Sequence, residues 1–378
     1  MAFTNRAVDE ICEKLTRLDI SCIRLGKGEK PYCWSAMAKS FKLDEMYERM
    51  QGTSVFVSTL STFAGNLDIL KFKPFDTLIV DEASQVLEPQ IVGFLKYFKK
   101  WILIGDENQL PAVVMQSVED SKCESELLND LSLMNYRESL FYRLKKNAVK
   151  KGWDNCHGSL FNQYRMHRDI ACFPSEMFYN GNLKVGTVSQ EQPLADLLGE
   201  GMGPISKILT QSRIVFIPSK KCQRTKINDD EADLVAKMVE YIADVYGDSF
   251  NPEKTVGVIT PFRAQIANIR NKLNNKYHDV TIDTVERFQG SERDIIIVSY
   301  ALKSSIQLKA VKSINDEGVD RKMNVTLTRA KEHLIITGVE EVMDKDILFR
   351  QLIDYIKLND GYLLNPLSKE QITTSDLF

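Results

Sequence analysis

The sequence predicts an α/β protein built from two successive halves, each around a parallel sheet. Three observations carry this. Short apolar runs each stop at an acidic or glycine-containing turn, helical stretches separate those runs, and the rhythm breaks over about residues 116–158 before starting again. Alternation of short buried strands with helices is the pattern of parallel sheets. At 378 residues the chain exceeds the usual single domain. The expected division is 1–150, 151–342, and a C-terminal helix and tail over 343–378.

Taken in order, the first element is a helix, with Ala7, Val8, Ile11, Leu15 and Leu18 at helical spacing and Thr4-Asn5 as its cap. Gly26-Lys27-Gly28 and Gln51-Gly52 read as loops around a polar helical stretch. Ser54–Ser58 reads as a strand. Two buried-strand signals follow: Thr77–Val80 runs into Asp81-Glu82, and Trp101–Ile104 runs into Gly105-Asp106. Lys145, Lys146, Lys150 and Lys151 then read as a solvated helix face. In the second half the strands are Arg213–Ile217, Val256–Ile259, Asp294–Val298 and Leu334–Ile336. A helix lies between the first two, with Asn228 and Glu231 spaced as a capping box and Leu234, Val235, Met238, Val239 and Ile242 as its apolar stripe. Ile347, Leu348, Leu352, Tyr355 and Ile356 mark a last helix, followed by a polar end.

Composition excludes little. A net charge of −3 does not advertise nucleic-acid binding, yet a local basic groove can act inside an acidic whole. The seven cysteines form no CxxC pair, which argues against zinc or iron–sulfur and for free thiols in a reducing compartment. With no signal-peptide pattern and no apolar run of about 20 residues, no membrane is expected and a cytoplasmic protein is, or a nuclear one in a eukaryote.

The polar residues at the strand ends point to phosphate chemistry. An aspartate closing an apolar strand, as Asp81 does, suits Mg²⁺, and an adjoining glutamate such as Glu82 suits orientation or deprotonation of an attacking water. By itself this pair is also what a solvated strand end looks like. Gln109, at the end of the neighbouring strand signal, offers an amide that both accepts and donates, as sensing a γ-phosphate requires. Arg165 and Arg329 supply guanidinium forks that match phosphate oxygens, although singly each reads as a surface ion-pair partner.

Asp81-Glu82-Ala83-Ser84-Gln85, Gly105 through Pro111, Gln163-Tyr164-Arg165-Met166-His167, Thr260-Pro261-Phe262-Arg263-Ala264-Gln265, Phe288-Gln289-Gly290-Ser291-Glu292 and Thr328-Arg329-Ala330-Lys331 occur in the order found in superfamily 1 helicases. The chain most resembles the branch containing the nonsense-mediated-decay helicase, senataxin and the replication helicase–nuclease. That resemblance, from Thr4 to about Gly338, implies two RecA-like domains with an ATP cleft between them and translocation on single-stranded DNA or RNA. By the same resemblance Asp81 is the Mg²⁺ ligand, Glu82 the catalytic base, Gln109 the γ-phosphate sensor, and Arg165 and Arg329 the γ-phosphate arginines. It makes Tyr164 the adenine stack, puts Gly290 and Glu292 on the nucleotide side, and places Thr4, Asn5, Thr59, Thr260, Pro261 and Thr284 along the strand.

The family pattern is broken in one place. GxxxxGK(S/T), whose backbone amides wrap phosphates, occurs nowhere in the sequence. Two expectations follow. In the first, the chain is part of a longer ATP-dependent helicase whose upstream segment carries the P-loop, the first RecA-like domain is incomplete at its N-terminus, and the chain alone is inactive. In the second, it is a non-hydrolysing nucleic-acid-binding or scaffold remnant. Smaller departures are Glu286 where the family often has Asp and Thr326 where it commonly has Ala.

Overall fold

Two ladders of two parallel strands each organise the first part of the chain in the computed structural model, which describes residues 1–192, 203–221, 224–273 and 276–364. The chain divides into two compact units, Met1–Gly158 and Ser159–Phe378. In the first, β1 (Cys22–Arg24) pairs with β2 (Val55–Val57), and β3 (Thr77–Val80) with β4 (Lys100–Leu103). The opening residues run between the ladders. Ala2 N donates to Ser58 O at 3.1 Å and Leu60 N to Ala2 O at 3.3 Å, while Asp81 N donates to Met1 O at 2.8 Å. The helix Asn5–Arg17 follows, capped by Thr4, whose hydroxyl accepts from Ala7 N. Ile23, Leu25, Phe63, Leu78, Val80, Ile91 and Phe94 form the core beneath.

Strands β3 and β4 differ from the buried pair expected. Leu78 and Val80 are buried, but Ile79 is 49% exposed and Trp101 46%. Ile102 and Ile104 are exposed as well. Each strand has a partner on one edge only among the described residues, and the bare side chains fall on both faces, since Trp101 and Ile102 are neighbours in β4.

The second unit holds a five-stranded, wholly parallel sheet in the order β7-β11-β10-β8-β9. A short ladder of β5 (Asn162–Gln163) and β6 (Lys184–Val185) precedes it. The sheet strands are β7 (Ile214–Pro218), β8 (Val256–Ile259), β9 (Thr281–Asp283), β10 (Arg293–Ser299) and β11 (Ala330–Gly338). Central strands read as nearly continuous Ile and Val because helices cover both faces.

The helix Asp229–Tyr246 packs its predicted stripe into this core, but its cap is only half the expected box. Asn228 Oδ1 accepts from Asp230 N and Glu231 N, whereas the Glu231 carboxylate turns inward and the Asn228 backbone N–H donates to Gln265 Oε1 instead. The carboxylate accepts from Ser219, Asn228 Nδ2, Ser299 and Ala301 N at 2.7–3.0 Å. Burial outweighs these four donors and pushes the Glu231 carboxyl up to about 7. The last helix, Ile347–Leu358, packs through Phe349, Leu352, Ile353 and Ile356, while the expected polar end and Cys222 lie outside the described residues. No described helix is long and apolar enough to cross a membrane. The six described cysteines are free thiols.

Candidate nucleotide and nucleic-acid sites

In the first unit the expected acidic and amide residues meet at the carboxyl ends of β3 and β4. Ala83 N donates to Ile104 O at 2.7 Å, tying the loop after β3 to the end of β4. Gly105 makes this contact possible, since a Cβ there would lie 2.8 Å from Ser84 N. Asp81 Oδ1 accepts from Glu82 N at 3.0 Å. Glu82 has φ 54°, a left-handed conformation costly for a non-glycine residue and concentrated at functional sites. Its carboxylate accepts from Gln85 Nε2 at 2.9 Å. Beside it Asp106 holds the next loop, accepting from Asn108 N at 2.9 Å and from Gln109 Nε2 at 3.0 Å. Asp81, Glu82 and Gln109 all keep partial exposure. Lys145, expected on a solvated face, instead pairs with Glu107 in this second loop. Lys146 and Lys151 lie over the rings of Tyr142 and Trp153.

The same unit gathers Thr4, Asn5 and Thr59. Ala2 and Thr59 form a parallel bridge, which sets the start of the first helix beside the start of the turn Leu60–Ala64. Thr59 is buried, and its hydroxyl accepts from Thr62 N and donates to Thr62 Oγ1. Arg24, which the sequence did not single out, is the hub here. Its buried guanidinium reaches Asp9 at 2.6 Å, Lys27 O at 2.8 Å and Asn5 Oδ1 at 3.2 Å. An arginine at a strand end inside an apolar run was the available signal.

In the second unit a cationic–acidic cluster forms around Glu292. Arg165 Nε lies 2.6 Å from one carboxylate oxygen and Lys331 Nζ 2.9 Å from the other. Burial alone would raise the Glu292 carboxyl, but hydrogen bonds and charge from Arg165 and Lys331 overcome it and hold it at about 2. Tyr164 stands 68% exposed beside them. Gly290, at φ 76°, makes the turn before Ser291 and Glu292. Arg329 is only 2% exposed and bonds inward, to Val325 O at 3.0 Å and Thr328 Oγ1 at 3.0 Å. In this conformation it presents no guanidinium edge to solvent.

Thr260, Pro261 and Thr284 also come together, because Thr260 N donates to Asp283 O across the ends of β8 and β9. Thr260 is fully buried and its hydroxyl has no partner among the described residues, while Pro261 and Thr284 are half-buried. Glu286 pairs with Lys322 at 3.0 Å. The Thr326 hydroxyl bonds back to Lys322 O within its helix.

One α/β unit thus carries a strand-end Asp-Glu beside an amide loop, and the other an arginine–carboxylate cluster. Family models described as AAA domain match residues 36–117 and 136–341, the latter more than half of the chain. The chain belongs to this family, as a superfamily 1 helicase related to senataxin and the replication helicase–nuclease. It is 32% identical over 319 residues to Helicase sen1 of Schizosaccharomyces pombe, covering 81% of this chain and 17% of that protein. To the Arabidopsis thaliana DNA replication ATP-dependent helicase/nuclease JHS1 it is 28% identical over 378 residues, covering 96% of this chain and 26% of that protein. The chain thus spans only about a sixth to a quarter of these relatives' length. The crystal structure of an arterivirus nonstructural protein 10 (helicase) is similar over 93% of this chain and 54% of that chain, at 11% identity and a TM-score of 0.43.

Proposed function

We propose that the chain is the motor core of an ATP-dependent helicase, coupling ATP hydrolysis to movement along single-stranded DNA or RNA. The observation that carries this is the joined pair of loops at the ends of β3 and β4, which carry Asp81, Glu82 and Gln109, with Glu82 in a left-handed conformation. Hard carboxylate oxygens with partial exposure suit Mg²⁺, which takes one or two carboxylates and fills its shell with phosphate and water. Asp81 would hold the ion, which supplies charge neutralisation to the phosphates when bound. Glu82 orients and deprotonates the attacking water, and Gln109 bridges that water and the γ-phosphate. Arg165 and Arg329 are, on this reading, the arginines that neutralise phosphate charge. Asn5, Thr4, Pro261 and Thr284 grip sugar and phosphate without reading bases.

The sequence has no GxxxxGK(S/T), so turnover requires that loop from further polypeptide, and these 378 residues alone do not hydrolyse ATP. The test is strand-stimulated phosphate release by protein carrying such a loop upstream of Met1. Glu82→Gln is expected to reduce the rate at least about 100-fold, the scale of a positioned base, with strand binding retained. Unchanged turnover in Glu82→Gln would sink the assignment.

The missing loop also favours a second reading, a strand-binding or scaffold module without turnover. Titration of these 378 residues with single-stranded DNA and RNA across salt concentrations separates the two. Salt-dependent binding, together with no ATPase activity even when a P-loop segment is present, supports the second reading. The absence of binding at low salt excludes it.

A further inference from the structure

We infer that the turn from Gly186 to Gln190 is a positioning element for Tyr164, and that residue 186 must be glycine for the ring to serve as a platform for a nucleotide base. This rests on the reading of Tyr164 as a base-stacking surface. Strand β6 pairs with β5 in the register Asn162↔Lys184 and Gln163↔Val185, which brings Gly186 level with Tyr164. A Cβ on Gly186 would stand 2.2, 2.5 and 2.6 Å from the Cε1, Cζ and Cδ1 atoms of the Tyr164 ring. The ring therefore lies directly against the bare Gly186 backbone on one side, while 68% of the residue remains exposed. Glycine is required here by space alone, since Gly186 is not among the residues with positive φ.

The backing is itself anchored. Gly186 N donates to Gln163 O at 2.9 Å and to Gln190 Oε1 at 3.0 Å. Gln190, which is buried, also accepts from Thr187 N and Thr187 Oγ1, and it donates through Nε2 to Met166 O at 2.8 Å. One amide thus bolts the turn to the loop that carries both Tyr164 and Arg165. Gln163 adds a second bolt, accepting from Arg165 N and Met166 N at 2.9 and 2.8 Å. A side chain at position 186 would push the ring off its seat, and loss of Gln190 would let the seat itself drift. Neither change touches a phosphate-facing group.

The test is calorimetric titration of protein carrying a P-loop segment upstream of Met1, the parent for all variants, with magnesium and ADP, and separately with tripolyphosphate, which has phosphates and no base. Tyr164→Ala, Gly186→Ala and Gln190→Ala are each expected to weaken ADP about tenfold, within the range for one stacked base, and to leave tripolyphosphate unchanged. Adding Gly186→Ala to Tyr164→Ala is expected to cost nothing more, because there is no ring left to displace. If the parent chain does not bind ADP at millimolar concentration, or Tyr164→Ala is silent, the base-stacking reading falls and this inference with it. If Tyr164→Ala weakens ADP while Gly186→Ala and Gln190→Ala, both shown folded by circular dichroism, do not, the positioning role alone is overturned.

Discussion

Single side chains in this molecule are held by networks that set their charge. Glu231 is the sharpest case, a carboxyl pushed up to about 7 by burial although four donors face it. Its folded pKa lies above its unfolded value, so its contribution to stability is full below about 4.5 and is lost as pH rises through about 7. Glu231→Gln should therefore flatten the stability profile in that window, by on the order of 3 kcal/mol, as read by urea unfolding at several pH values. Glu292 has the opposite sign. Held at about 2 by Arg165 and Lys331, it contributes above its ordinary value and loses that contribution as pH falls toward 2. Arg24 fixes polarity in another way. Because guanidinium only donates, the oxygen of Asn5 must face it, which leaves the Asn5 N–H groups outward. Asn5→Asp should then strengthen the pairing with Arg24 while weakening single-strand binding, two opposite signs from one atom. A gain in both stability and strand affinity would overturn that reading.

At the scale of elements, the agreement between sequence and structure follows the strength of the local signal. Thr77–Val80 is a run of β-formers stopped by two acids, and β3 occupies those same four residues. Thr4 was legible as a cap because a threonine stands just before the apolar helical stripe, and its hydroxyl accepts from Ala7 N; Thr4→Ala should cost about 1 kcal/mol, measured by thermal unfolding. Three-residue β1 and β9 escaped notice because Cys22–Arg24 and Thr281–Asp283 are too short for any period to show. The half capping box at Asn228 failed for a different reason: Gln265, 37 residues away, takes the Asn228 N–H that Glu231 was expected to take. The order of the motifs was readable, but not Arg24, Gln190 or Gly186, whose roles come from contacts across loops. Neither was the inward seat of Arg329, which is set by Val325 and Thr328. Gly105 belongs with these, and Gly105→Ala should force the loop carrying Gln109 away from Ser84. The expected outcome is a loss of about 1–3 kcal/mol, with any turnover falling further than stability alone explains.

As a whole, the molecule has two units with separate cores and unequal sheets. A five-stranded sheet covered on both faces should outlast two paired ladders, so calorimetry is expected to show two unfolding transitions, the first belonging to Met1–Gly158. A single transition with matching calorimetric and van't Hoff enthalpies would argue against independent units. The bare apolar side chains of β3 and β4 bear on every such experiment. Ile79, Trp101, Ile102 and Ile104 offer neighbouring molecules exposed apolar side chains to cover. Protein concentration then becomes a hidden reactant: a strand-binding curve taken at micromolar protein reports self-association and ligand binding together, and the two part company only on dilution.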